Sequence, residues 1–598
     1  MKNKEIADLF NEIADILELK EENVFRVNAY RRAAQNVEGL SRAIEDVAAS
    51  GALHELPGIG KDLEGKILEY LESGEIDFLN ELRKEIPPVL LDMLRVPGIG
   101  PKTALRLQAE LGINSLDELK HAALDHRIRE LPMMKAKTEE NILKGLEFLS
   151  RAGGRFPIGE ALPVAQRIVE ELASLPAVRK ISVAGSLRRF RETVGDIDIL
   201  AVSRSSENVI RHFTHLEGVA RVLAEGTTKG SVVTREKIQV DLRVVEAASY
   251  GSALNYFTGS KEHNIKLREI AIQRGMKLNE YGVFREGGRK RPARGARTAK
   301  PRRAAGAAKA ETRIAGKTEN EVYAALGLPY IPPEIREDSG EIEAAREGTL
   351  PVLVEERDIK GDLHCHSDYS DGAATLAEVA AAGKKRGYSY ILMTDHSKSL
   401  RIANGLSDDR RLKQIAEIDR LNARLRGFRL LKGAEVDILP DGTLDMDEEL
   451  LKRLDAVYVA IHSNFKMRRA EMTRRVVRAL ENPYASILAH PTGRLIGTRD
   501  AFEIDMDEVI RAAARTQTAI EINAHPMRLD LDAANCRAAA DAGVMIAIGT
   551  DTHVLAELDY MIYGLGTARR GWLSKANIIN TRPASQLITI LQKKRRPK

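Results

Sequence analysis

Only two cysteines occur in 598 residues, Cys365 and Cys536, too few and too far apart to build a disulfide framework or a cysteine zinc site. A reducing compartment fits that scarcity. No apolar run approaches the length a membrane span requires, and the first residues, MKNKEIADLF, read as an amphipathic helix without the apolar core of a signal peptide. Nothing points to a membrane, and a cytoplasmic location is expected. There is also no large excess of charge. The net value is +5, with 43% hydrophobic and 30% charged residues, an ordinary globular composition. The basic residues are nevertheless bunched, and for binding a polyanion their position matters more than their total. The length exceeds what one hydrophobic core supports and suggests about four domains.

Texture changes along the chain. Residues 1–78 and 79–155 read as small helical units separated by Pro-Gly turns, LPGIG and VPGIG. From 156 to 256, helices alternate with β-branched strands (ISVAG, DIDILAVS, GSVVT, IQVDLRVV), and 257–336 continues this mixed α/β region. Within it, residues 286–316 are rich in Arg, Lys, Ala, Gly and Pro with no strand or amphipathic face, and are expected to be disordered when free. An acidic, Ala-rich connector at 337–356 leads to 357–598, where apolar strands and helices alternate as in a βα-repeating domain.

The segments LPGIGKDLEGKI and VPGIGPKTALRL have helix-hairpin-helix logic. Gly58 and Gly60, and again Gly98 and Gly100, allow a tight turn whose N–H groups face a phosphate at the start of a helix. Such contacts hold DNA without reading its sequence. A third segment, LPMMKAKTEENIL, has Met133 and Met134 where the glycines would stand, which puts its phosphate binding in doubt.

In VAGSLRRFRETVGDIDILAVS, Asp196 and Asp198 are one residue apart in an expected strand, so both side chains project from one face. Asp241 interrupts the apolar alternation of IQVDLRVV and is expected opposite them. Three such acids call for hard divalent cations, Mg2+ or Mn2+, an arrangement suited to in-line phosphoryl transfer. Upstream, Gly185, Ser186 and Arg189 offer a turn, a hydroxyl and a cation for phosphate oxygens.

These residues, with NYFTGSKEHNIKLR, resemble the family X DNA polymerases over roughly residues 1–336. The resemblance implies a nucleotidyltransferase palm and thumb acting on gapped or nicked DNA and deoxynucleoside triphosphates. It makes Asp196, Asp198 and Asp241 the metal ligands, and sets Ser186, Arg189 and Gly195 at the triphosphate. Tyr256, Phe257 and Gly259 would line the sugar pocket, with Asn264 and Arg268 along the base and minor groove. VNAYRRAA and GKDLEGKI resemble the family's lyase region, which places Lys66 as a Schiff-base lysine with Tyr30 near it.

Of thirteen histidines, seven follow residue 360, most at strand ends. His364 and His366 share a strand face, and Asp371 follows in the loop; His396, Glu435, His462, His490, Asp551 and His553 end later strands. Nine N and O ligands without a thiolate suit two or three ions such as Mn, Zn or Fe. The pattern resembles the polymerase and histidinol phosphatase (PHP) domain, implying a distorted (β/α)7 barrel that hydrolyses phosphate esters. In family X proteins this domain is associated with 3′–5′ exonuclease and with 3′-end or abasic-site processing. His525 falls outside the nine and reads as structural. The expectation is therefore a monomeric, multidomain gap-filling repair polymerase with a helix-hairpin-helix front and a PHP barrel behind, its basic insert tethering DNA. Two rival readings are a DNA-end-binding scaffold without synthesis, and a small-molecule phosphoesterase on a DNA-binding module.

Overall fold

A computed structural model describes residues 2–20, 22–38, 44–56, 58–94, 96, 99–131, 134–150, 155–285 and 312–595. Among the described residues the front contains helices and turns alone, from Lys2–Leu19 to Ala136–Ser150. Its apolar residues, among them Phe10, Leu17, Tyr30, Ile67, Leu79, Met93, Leu107 and Ile142, pack into one core. Helix Lys61–Ser73 starts at Gly60 and stops at Gly74, whose φ of 82° lets its N–H return to the Tyr70 carbonyl.

The palm is a five-stranded mixed sheet, in the order Val178–Val183, Ile197–Ser203, Gln239–Val245, Lys229–Thr234, Val219–Glu225. Only the central pair, Ile197–Ser203 with Gln239–Val245, runs parallel. The next unit carries helices Tyr250–Thr258 and Lys261–Gln273 and a three-stranded antiparallel sheet. One of those strands corrects the sequence reading: Thr312–Ala315, the end of the stretch expected to be disordered, pairs with Gly282–Arg285, and Ala315 is buried in the local core. Residues 286–311 lie outside the described residues. The acidic connector contains a helix, Glu341–Glu347, whose Ile342 and Ala345 join the same core. Its Glu341 is fully buried against His263 at 2.6 Å.

A buried ion network closes this unit. Arg188 donates to both oxygens of Glu319 at 2.9 and 2.7 Å, and the fully buried Arg336 donates to the same carboxylate at 2.5 Å. Burial alone would raise the Glu319 carboxyl, but the two arginines hold it below its usual value. Removing one partner strands the others in a dry site. Glu319→Ala is therefore expected to cost about 3–5 kcal/mol, read as a fall in the urea midpoint of unfolding.

The C-terminal domain is a seven-stranded parallel sheet in sequential order, from Gly361–Cys365 to Ile546–Gly549. A parallel bridge between Cys365 and Thr552, with His366 N–H donating to the Thr552 carbonyl at 2.9 Å, draws the two edges together into a nearly closed barrel. Palm and barrel share packing: Leu529 and Tyr563 of the barrel belong to the palm core. Among the described residues no helix is long and apolar enough to cross a membrane.

Candidate active sites

In the palm, Asp198 and Asp241 are direct register partners on the two parallel central strands. Asp196 stands immediately before its strand rather than inside it, a small correction to the sequence reading. Asp241 is buried, accepts from Gln239 Nε2 at 3.2 Å, and lies 3.8 Å from Lys229 Nζ. Among the described residues, the groups of three or more ligand atoms already within 4.8 Å of one another lie in the barrel; in the palm, Asp198 and Asp241 stand side by side with Asp196 two residues before Asp198. The Lys229 ammonium supplies Asp241 with positive charge. Gly185 lies against Asp198; at its φ of 65° an added Cβ would sit 2.6 Å from Asp198 Oδ2. Ser186 follows it in the short helix Gly185–Arg188, and Gly195 directly precedes Asp196.

Arg189, expected at the triphosphate, donates from Nε to Glu337 at 2.9 Å and from Nη1 to the Thr258 carbonyl at 2.7 Å. Tyr256 and Phe257 meet edge to face with centroids 5.2 Å apart, and the Arg243 guanidinium lies 4.9 Å from the Phe257 ring. Asn264 closes the turn after them, donating to the Tyr256 carbonyl at 2.7 Å and the Gly259 carbonyl at 3.3 Å. A Cβ at Gly259 would sit 2.8 Å from Asn264 Oδ1, so the Asn264 amide packs directly on this glycine. Arg268 is half-buried on the following helix.

In the front, Lys66 and Tyr30 converge on one carboxylate. Lys66 Nζ donates to Asp62 at 2.5 Å, and the Tyr30 hydroxyl donates to its other oxygen at 3.3 Å. Tyr30 stacks on Phe78, over which Lys66 Nζ lies at 4.9 Å. Burial and Asp62 both push the Tyr30 hydroxyl up. The neighbour of Lys66 is thus an anion, with the Arg26 guanidinium across the same ring at 5.2 Å. Gly58 takes φ 78°, and Gly60 and Gly100 precede helices Lys61–Ser73 and Pro101–Leu111. Gly98 and Met133 lie outside the described residues.

At the barrel, all nine residues singled out in the sequence come together at the C-terminal ends of the strands. They form three overlapping groups: His366, Asp371, His396 and His553; His364, His366 and Asp551; and His396, Glu435 and His462. His490 Nε2 joins through Glu435 at 2.9 Å. The buried nitrogens His364 Nε2, His366 Nδ1 and Nε2, and His396 Nδ1 have no hydrogen-bond partner, the condition bound cations would relieve. This all-N/O donor set fits divalent ions. His490 (φ 23°) and Asp551 (φ 58°) adopt left-handed backbone, a strain of about 1–3 kcal/mol each that tightly held site residues can carry.

Electrostatics divide the imidazoles. Burial and the neighbouring His396 push His366 down to about 4. Burial opposes charge on His396 and His462 too, yet Glu435 with Asp371 or Asp437 raises them to about 10 and about 9. Two carboxylates missed in the sequence orient the rings. Glu521, fully buried and pushed up to about 7 by burial against the pull of His364, meets His364 Nδ1 at 2.6 Å and accepts from the His490 N–H at 2.7 Å. Asp437 meets His462 Nδ1 at 2.5 Å. Each fixes which ring nitrogen faces the cluster. Their signal was an acid inside an apolar strand, AIEIN and GAEVD. His525, outside the cluster, packs edge to face on Tyr560.

Helical hairpins, a mixed palm sheet and a metal-competent βα barrel on one chain define a modular nucleic-acid enzyme class. The family comparisons agree. Residues 1–76 match a helix-hairpin-helix domain, 90–147 a SAM-like helix-hairpin-helix tandem, 253–337 the DNA polymerase beta thumb, and 362–525 the PHP domain. The chain is 40% identical over 600 aligned residues, 99% of its own length and 100% of the relative's, to the DNA polymerase/3′-5′ exonuclease PolX of Bacillus subtilis (strain 168). A probable phosphatase of Thermoanaerobacter sp. (strain X514) is 29% identical over 37% of this chain and 89% of its own, and one of Acetivibrio thermocellus is 32% identical over 33% and 80%. The chain belongs to the PolX-type family X DNA polymerases with a C-terminal PHP domain.

Proposed function

We propose that this chain is a DNA-directed DNA polymerase that fills short gaps in base excision repair, and that its barrel trims 3′ ends as a 3′–5′ exonuclease and processes abasic sites. The observation that carries the reading is the pairing, on one chain, of adjacent Asp198 and Asp241 with a nine-residue ligand cluster at a barrel mouth. Its end-to-end similarity to a polymerase/exonuclease supports it. Gapped or nicked DNA and deoxynucleoside triphosphates are the partners, and the working form is a cytoplasmic monomer.

In the palm, Asp196, Asp198 and Asp241 hold Mg2+ or Mn2+, which supply charge neutralisation for phosphoryl transfer. Ser186, Gly185, Gly195 and Arg189 bind the triphosphate; for Arg189 this requires exchange of Glu337 for phosphate. Tyr256, Phe257 and Gly259 shape the sugar pocket, and Asn264 and Arg268 follow the nascent pair. Gly58, Gly60, Gly98 and Gly100 grip the backbone on the 5′ side. In the barrel, the nine residues would hold Mn2+ or Zn2+, with Fe a further candidate, and such ions would supply an activated water and charge on the phosphate. Glu521 and Asp437 keep two imidazoles in the ligating tautomer.

A labelled primer on a one-nucleotide-gapped duplex with a 5′-phosphate tests the reading: extension with nucleotides and shortening without them. Gap binding without either activity favours a scaffold, and release of phosphate only from a small ester favours a phosphomonoesterase. Two further results are expected. Exhaustive chelation abolishes shortening, and added Mn2+ restores it, followed by gel and by metal analysis. Lys66→Ala removes borohydride-trapped covalent adducts with a 5′-deoxyribose-phosphate end while extension persists, because Lys66 lies in the helical front.

A further inference from the structure

The barrel cluster is built from histidines and acids, yet a phosphodiester is an anion. Among the described residues one arginine or lysine lies within ion-pair distance of the nine: Arg528, whose Nε is 3.3 Å from Asp551 Oδ2. Asp551 is divided between two tasks. Its Oδ1 faces His364 and His366 at 3.5 and 3.2 Å, while Oδ2 faces Arg528 and accepts from Asn523 at 3.1 Å. The guanidinium is thus one carboxylate away from the ligand cluster, and its side chain is 21% exposed. A planar fork with donors beyond Nε suits the paired oxygens of a phosphate.

The loop bearing Arg528 is fastened to the palm. Arg494 donates from Nε to the Arg528 carbonyl at 2.9 Å and from Nη2 to the Leu529 carbonyl, and the same Nη2 donates to Glu192 of the palm at 2.8 Å. Leu529 is buried in the palm core, and Gly159 of the palm abuts Pro526 so closely that a Cβ there would collide with it. Free movement of the loop is therefore blocked from the palm side.

We propose that Arg528 binds the phosphate of the 3′-terminal diester in the barrel site, and that palm residue Glu192 positions it through Arg494. The inference rests on the reading of the barrel as a 3′-end nuclease. It makes the palm part of the nuclease scaffold.

The test uses the full chain loaded with Mn2+ and two substrates: a 5′-labelled single strand, and the p-nitrophenyl ester of thymidine 5′-monophosphate, too small to engage the helical front. Arg528→Ala raises KM for both by about 10- to 100-fold, with metal content unchanged. Arg528→Lys recovers only part of the loss, because it keeps the charge without the fork. Glu192→Gln raises KM roughly threefold or more with kcat within about twofold, and Glu192→Asp restores it. Arg528→Ala kinetics within twofold of wild type, or activity lost in proportion to bound metal, overturn the inference while the nuclease reading stands. A wild-type chain that cleaves neither substrate overturns both.

Discussion

Glu435→Gln leaves primer extension in place and removes 3′-end shortening. Glu435 is the hub of the barrel cluster: Oε2 lies 3.4, 3.7 and 3.0 Å from nitrogens of His364, His366 and His396, and Oε1 lies 3.3 and 2.9 Å from His462 and His490. Burial would raise its carboxyl, but the surrounding imidazoles hold it well below the usual range, so it is an anion wherever the protein is folded near neutral pH. Glutamine keeps the shape and removes the charge. Loss of several kcal/mol of cation binding and transition-state stabilisation corresponds to a rate fall of about three orders of magnitude. Metal analysis of the purified variant should show fewer ions per chain. Unchanged shortening with full metal content would remove Glu435 from the ligand set.

Asp198→Asn gives the opposite pattern, with extension lost by about three orders of magnitude and shortening retained. Asp198 adjoins Asp241 in register and abuts Gly185, so it links the acid pair to the turn proposed for the triphosphate. Asparagine preserves the fit against Gly185 while removing the charge a divalent ion needs. Single-turnover extension separates this chemical defect from weakened gap binding, which should persist because the helical front is untouched.

The barrel cluster was legible because ligand-type residues recur at the ends of successive strands, and in a parallel βα barrel those ends converge by topology. No long-range information was needed to bring His364 and His553 together. Glu521 and Asp437 escaped because the acid inside each apolar strand marks a buried carboxylate but does not show which imidazole it meets. Arg528 escaped for the same reason: its role depends on Asp551 in space, and its loop is held from the palm. In the front half, PGIG turns and the DID tripeptide were readable, but charge pairing across the fold was not. Lys229 beside Asp241 and Glu337 beside Arg189 are contacts between segments that periodicity cannot relate. Thr312–Ala315 was misread because basic composition hid a strand whose reason is its antiparallel partner, Gly282–Arg285.

Two phosphodiester chemistries housed on one chain are separable by a crossed pair of variants. Wild type, Glu435→Gln and Asp198→Asn are each given the labelled, one-nucleotide-gapped duplex in Mn2+ and in Mg2+, with and without deoxynucleotides. Extension without shortening is expected in Glu435→Gln, shortening without extension in Asp198→Asn, and both in wild type. A single variant that abolishes both activities while folding and gap binding remain intact would contradict this separation.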